Sequence, residues 1–163
     1  DPYLIAPTLK LAVAQRLARR LCPDTGEVVE VDGSMQTMFD KEFESLPAPY
    51  HDRIPTNKTV MYPEPSPGCT SGTKGRVAVM ETLEVSGEIQ QLILNSAPEE
   101  EVYREARSNG FMSMKEDAII KALEGVIPYQ EISVFGTKVG EENVVTDEYL
   151  PVDNPEESEE GAV

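Results

Sequence analysis

The chain has 163 residues, enough for one domain or one core domain with appendages. Hydrophobic residues make up 39%, a modest core, and 30 acids against 14 bases give a net charge of −16. That charge repels nucleic-acid phosphates and anionic membrane surfaces alike, and no run of about 18 apolar residues exists to span a bilayer.

Asp1-Pro2-Tyr3-Leu4-Ile5 enters an apolar pattern with no initiator Met and no basic-then-apolar leader, which reads as a cut end. Pro7 to Leu21 then predicts a helix: Leu9, Val13, Leu17 and Leu21 recur every four residues as one stripe. Pro7 suits a first helical position, Arg16, Arg19 and Arg20 complement the dipole near the far end, and Pro23 stops it. The arginines read as a solvated helix end, with an acidic partner surface as the other reading.

From Cys22 to Cys69 periodicity is poor. Val28–Val31 predicts a short strand closed by Asp32-Gly33, and Met38, Phe39, Phe43 and Leu46 one or two helical turns ended by Pro47 and Pro49. Tyr62-Pro-Glu-Pro-Ser-Pro67-Gly68 excludes regular helix or central strand. The segment 22–73 therefore reads as an irregular insertion held loosely on the core.

The segment 74–135 reads as a helical unit. Arg76 to Leu83 alternates as a strand, after which Ser86 caps a helix carrying Ile89, Leu92 and Ile93. Ser96-Ala-Pro-Glu99 has the form of a capping box, opening a helix with Val102, Tyr103 and Ala106 inward and a stop at Asn109-Gly110. Ser113-Met-Lys-Glu116 is a second box, whose helix buries Met114, Ala118, Ile119, Ala122 and Leu123 and ends at Gly125. Pro128 opens a last short helix anchored by Ile132 and Val134. Residues 136–163 read as an acidic, disordered tail: after Gly140 come nine acids and no Lys or Arg.

Few residues carry a chemical pattern. Gly68-Cys-Thr-Ser-Gly-Thr-Lys74-Gly75 is out of register for a phosphate loop: counting from Gly68, Thr73 stands where Gly is required and Gly75 where Ser or Thr is. A turn entering a strand is the better reading. His51, the single histidine, lies in Pro49-Tyr-His-Asp-Arg53 and reads as a surface residue. Cys22 and Cys69 flank the insertion beside turn residues, as zinc-knuckle cysteines do, but closed zinc sites want four ligands. Thr25 and Ser66 occupy the positions of the missing partners, so the pair reads as two free, partly buried thiols in a cytoplasmic setting.

Ala14-Gln-Arg-Leu-Ala-Arg-Arg20-Leu-Cys22-Pro23 resembles the segment after the catalytic core of type II secretion and type IV pilus assembly ATPases, close to Ala-Gln-Arg-Leu-Val-Arg-Arg-Leu-Cys-Pro-x-Cys. Lys74-Gly-Arg-Val-Ala-Val-Met-Glu81-Thr-Leu83 is similar to that family's strand after its zinc module. Met112-Ser-Met-Lys-Glu-Asp-Ala-Ile-Ile-Lys121, Gly125-Val-Ile and Glu131-Ile132 resemble its closing helices. The likeness covers residues 1–134 in order and spacing.

It implies a mainly α unit with a small β element (α+β), beginning with the terminal helix 1–21 of an α/β P-loop core that lies upstream. It also implies a RecA-like cytoplasmic hexamer that uses ATP and Mg to drive protein transport or pilus assembly. Its partners would be the other subunits and an inner-membrane platform protein, through which it would be peripheral at that membrane. The family's Walker A, aspartate box, Walker B and histidine box fall before Asp1, so no catalytic residue is assigned. The zinc module is reduced to Cys22 and Cys69, one cysteine per half and too few for zinc, with Met38, Phe39 and Phe43 packing in its place. The rival is a stand-alone acidic interaction module with no enzymatic role. The Leu9–Leu21 stripe discriminates: it is satisfied internally in a module and left open in a piece of the motor.

Overall fold

The computed structural model describes residues 1–23 and 25–136; the tail expected over 136–163 lies beyond Gly136, outside the described residues. The elements form an α+β arrangement. A short helix, α1 (Pro2–Ile5), precedes strand β1 (Leu11–Leu21). Strand β2 (Glu27–Glu30), helix α2 (Gly33–Phe43), a 3₁₀ helix (Ala48–Arg53) and strand β3 (Thr59–Tyr62) follow. Then come strand β4 (Thr73–Glu84), helices α3 (Gly87–Leu94), α4 (Glu99–Ser108) and α5 (Met114–Leu123), and a final 3₁₀ helix (Tyr129–Phe135).

The helix expected over 7–21 is instead β1, paired antiparallel with β4 from Leu11↔Glu84 to Arg19↔Arg76 and, past a register shift, Leu21↔Thr73. Four is an even number, so Val13, Leu17 and Leu21 share one face of a strand as readily as one stripe of a helix. The local residues (Ala, Gln, Arg, Leu) favour helix. The strand-forming partner Val77-Ala-Val79-Met overrides them, because a ladder needs two strands and β4 has no other neighbour. Pro7 falls in the turn after α1, not at a helix start.

The insertion is better built than its sequence suggests. β2 and β3 pair as a second two-stranded sheet. α2 runs three turns, and Asp32, expected in a turn, is its N-cap, its carboxylate accepting the Ser34 and Met35 amides at 3.0 and 2.9 Å. Those hydrogen bonds, the Met35 amide first, hold the Asp32 carboxyl below its usual range. Phe39, Phe43, Leu46 and Val60 are buried in the same cluster as Ile119 and Leu123 of α5, so the segment is part of the core and not loosely attached. A smaller cluster of Val85, Ile89 and Ala106 lies at the other end of β4.

The helical unit follows its start and stop signals with one exception, at the start of α4. Ser86 caps α3, and Ser113 and Glu116 form the reciprocal box of α5. The Ser96–Glu99 box does not form: Pro98 is the N-cap of α4, with no side-chain cap, and Ser96 itself turns the chain at φ 51°. Val134 is exposed and Phe135 takes its place in the core. Gly110 and Gly125 end α4 and α5 at φ 80° and 69°. At Gly110 an added Cβ would sit 2.5 Å from the Tyr50 ring, so the end of α4 seats the first 3₁₀ helix only because that position is glycine.

Candidate functional site

Cys22 follows β1 and Cys69 closes the tight turn before β4, where Ser66 and Cys69 exchange backbone hydrogen bonds of 2.9 Å. The Cys22 N–H donates to Gly72 O at 3.1 Å, bringing the two ends of the insertion together. The cysteines expected to be free are joined as a disulfide, with Cα atoms 6.6 Å apart across a sequence separation of 47. Sequence could not give this, because pairing depends on a register between β1 and β4 that periodicity does not show. A disulfide engages both sulfurs and leaves no thiolate for zinc, and Thr25, at a missing ligand position, donates its hydroxyl to Cys22 O. Among the described residues no group of three or more His, Cys, Asp or Glu could hold a metal ion. This donor set therefore fits a covalent clasp and not a zinc module, and the redox poise around the protein sets its state.

The Gly68–Gly75 stretch is a turn entering β4, as its spacing indicates. His51 is exposed in the first 3₁₀ helix, its Nε2 2.8 Å from Leu46 O. The Gly68–Gly75 stretch carries Cys69 and meets Cys22 through the disulfide and Gly72 O, while the hydrogen bond of the His51 ring goes to Leu46 and not to that stretch.

Two of the four ion pairs among the described residues engage a buried glutamate. Arg107, at the end of α4, is buried and reaches both carboxylate oxygens of the equally buried Glu116, Nη1 to Oε2 at 2.9 Å and Nη2 to Oε1. It also donates to Phe111 O at 2.6 Å and Ser45 Oγ at 3.0 Å, tying α4, α5 and the end of α2 into one block. The capping box marked Glu116, but nothing marked Arg107. Glu131 accepts the Arg19 backbone N–H at 2.9 Å and its Nε at 2.7 Å, covering the outer edge of β1 at that point.

The feature with consequences for function is the outer face of the β1–β4 ribbon. Ala18, Val77 and Val79 face the main cluster and α5. Alternation turns Leu11, Val13, Gln15 and Leu17 the other way, with Met80 and Ala78 beside them. Leu11, Val13 and Leu17 are 52, 53 and 56% exposed and Met80 40%. This is the stripe singled out in the sequence: Leu21 is buried and Leu9 half-buried, while its middle lies open. No helix among the described residues is long and apolar enough to cross a membrane, so a bilayer-spanning helix does not account for the patch.

Residues 1–134 match the family model described as Type II/IV secretion system protein. The chain is 29% identical over 131 residues to the type IV pilus assembly ATPase PilB of Pseudomonas aeruginosa, covering 80% of this chain and 22% of that protein. It is 30% identical over 135 residues to the type II secretion system ATPase E of Vibrio cholerae, covering 81% and 24%. It is 31% identical over 136 residues to PilB of Myxococcus xanthus, covering 81% and 22%. The chain thus spans less than a quarter of the length of these curated relatives.

Proposed function

The chain belongs to the type II/IV secretion system protein family, and on that premise we propose that it is the part of a hexameric, RecA-like ATPase that packs against the nucleotide-binding core. In this reading ATP and Mg act in that core and not on residues 1–163. The chain couples the core to neighbouring subunits and to an inner-membrane platform protein, at the cytoplasmic side. Its own role is structural, and none of its residues is catalytic.

The open ribbon face carries the proposal. Leu11, Val13, Leu17 and Met80 form an apolar band on an otherwise acidic chain. Covering each such side chain contributes about 1.5–3 kcal/mol, a free energy that an independent module would leave unused. Relatives of which this chain matches only 22% supply a candidate for what covers it. A stand-alone interaction module is the competing reading, and the start of the gene separates the two. An open frame upstream of Asp1 with Gly-x-x-x-x-Gly-Lys-Ser/Thr supports the ATPase; a start codon directly before Asp1 overturns it.

The biochemical test uses the product of that whole gene. Val13→Asp with Leu17→Asp should lower ATP hydrolysis at least tenfold and weaken hexamer assembly in size-exclusion chromatography. The same pair in the 163-residue chain should leave its circular dichroism unchanged, since both side chains are already exposed. Full activity and assembly in the double variant would remove this face from the contact with the core. The 163-residue chain alone should show no saturable binding of labelled ATP.

A further inference from the structure

On the opposite side of the same ribbon lies a groove of about 760 Å³, at the seam between the two apolar clusters. Its floor includes Leu83 of β4, Val102 and Ala106 of α4, and Phe111. Tyr103, expected inward, is instead 42% exposed and packs edge-on to Phe111 at 5.9 Å, so an aromatic anchor stands at the groove wall. The other wall is the end of α2 and the start of α5. Ala12 and Ala14, whose cross-strand partners are Leu83 and Glu81, are exposed on the same ribbon face.

The rim is acidic. Glu42 is paired with Lys115 and Glu116 with Arg107, while Glu81 accepts the Met114 amide at 3.3 Å. Glu44, Glu99 and Glu100 also line the groove; they are exposed and take part in none of the ion pairs among the described residues. Arg16 and Lys41, the lining bases that are likewise outside those pairs, are outnumbered.

From this geometry we propose that the groove docks a cationic amphipathic helix of a protein partner, its apolar stripe on Leu83, Val102 and Tyr103 and its Lys or Arg residues against Glu44, Glu99 and Glu100. A groove with Leu83, Val102, Ala106 and Phe111 in its lining and helix residues on both sides suits helix-in-groove recognition. The acidic rim selects the sign of the partner and speeds its encounter. The proposal goes beyond the motor reading and uses the other face of the ribbon, so each can fail without the other.

The test is fluorescence anisotropy on the full 163-residue chain with a labelled peptide of about 18 residues, leucine at helical spacing and lysine between. A mirror peptide with glutamate for lysine is the control. The lysine peptide should bind one to one and saturate, with the glutamate peptide at least tenfold weaker. Tyr103→Ala, and separately Glu99→Lys with Glu100→Lys, should each weaken it at least tenfold with circular dichroism unchanged. Val13→Asp, on the outer face, should not change it. No saturable binding overturns the proposal, as does equal binding of the two peptides. Binding that survives both groove variants also overturns it, and places the capture elsewhere on this acidic chain.

Discussion

Arg107 is the residue whose loss should cost this fold most. Its guanidinium is buried against both oxygens of Glu116 and three further acceptors, Ser45 Oγ, Phe111 O and Glu42 O. In Arg107→Met the methionine fills much of the volume but strands a buried carboxylate, a change of about 3–5 kcal/mol. Urea unfolding should register that loss. Glu116→Gln keeps an acceptor for the Ser113 amide, now at 2.7 Å, so combining it with Arg107→Met should cost less than the two singles summed. Additive effects would mean that the two side chains do not act as a pair. None of this was visible from sequence, because Arg107 obeys the apolar period of α4 no worse than its neighbours and its acceptors come from other elements.

The element scale is where local rules held or failed for identifiable reasons. Ser113–Glu116 and Ser96–Glu99 have the same spacing, yet only the first closes a box. Pro98 separates them: it takes the N-cap position of α4 itself, and Ser96 is left in a left-handed turn. β1 failed differently, because spacing by four fits both periods and only the partner strand decides. Its hydrogen bonds give a direct check. Arg19 and Leu21 donate away from β4, to Glu131 and Val126 O, so alternation points the odd-numbered amides outward. Hydrogen exchange in the 163-residue chain should therefore show slow amides at Ala12, Ala14 and Arg16 and fast ones at Leu11, Val13 and Leu17. Uniform protection across this stretch would indicate the helix.

At the scale of the whole molecule, the Cys22–Cys69 bond closes a loop that contains β2, α2, a 3₁₀ helix and β3. A cross-link over that separation removes about 4 kcal/mol of unfolded-chain entropy in the loop-closure model. Reduction with dithiothreitol should lower the urea midpoint, while the far-ultraviolet spectrum without denaturant stays the same. The insertion keeps its shape through Phe39, Phe43 and Val60 in the shared core and the Cys22 N–H to Gly72 O bond. Loss of the α2 signal on reduction alone would show that the clasp, and not the core, holds the insertion.

By itself the sequence determined the starts of α3 and α5, the glycine stops of α4 and α5, strand β4 and the family, since each rests on residues a few positions apart whose chemistry acts locally. Only the tertiary structure decided that 11–21 is a strand, that Cys22 meets Cys69, that Arg107 is locked on Glu116 and that Glu131 reaches across 112 residues to Arg19. These choices depend on which distant segments come together. The free energy that makes them, from pairing a ladder, burying apolar surface and satisfying a buried charge, is absent until the chain has closed on itself.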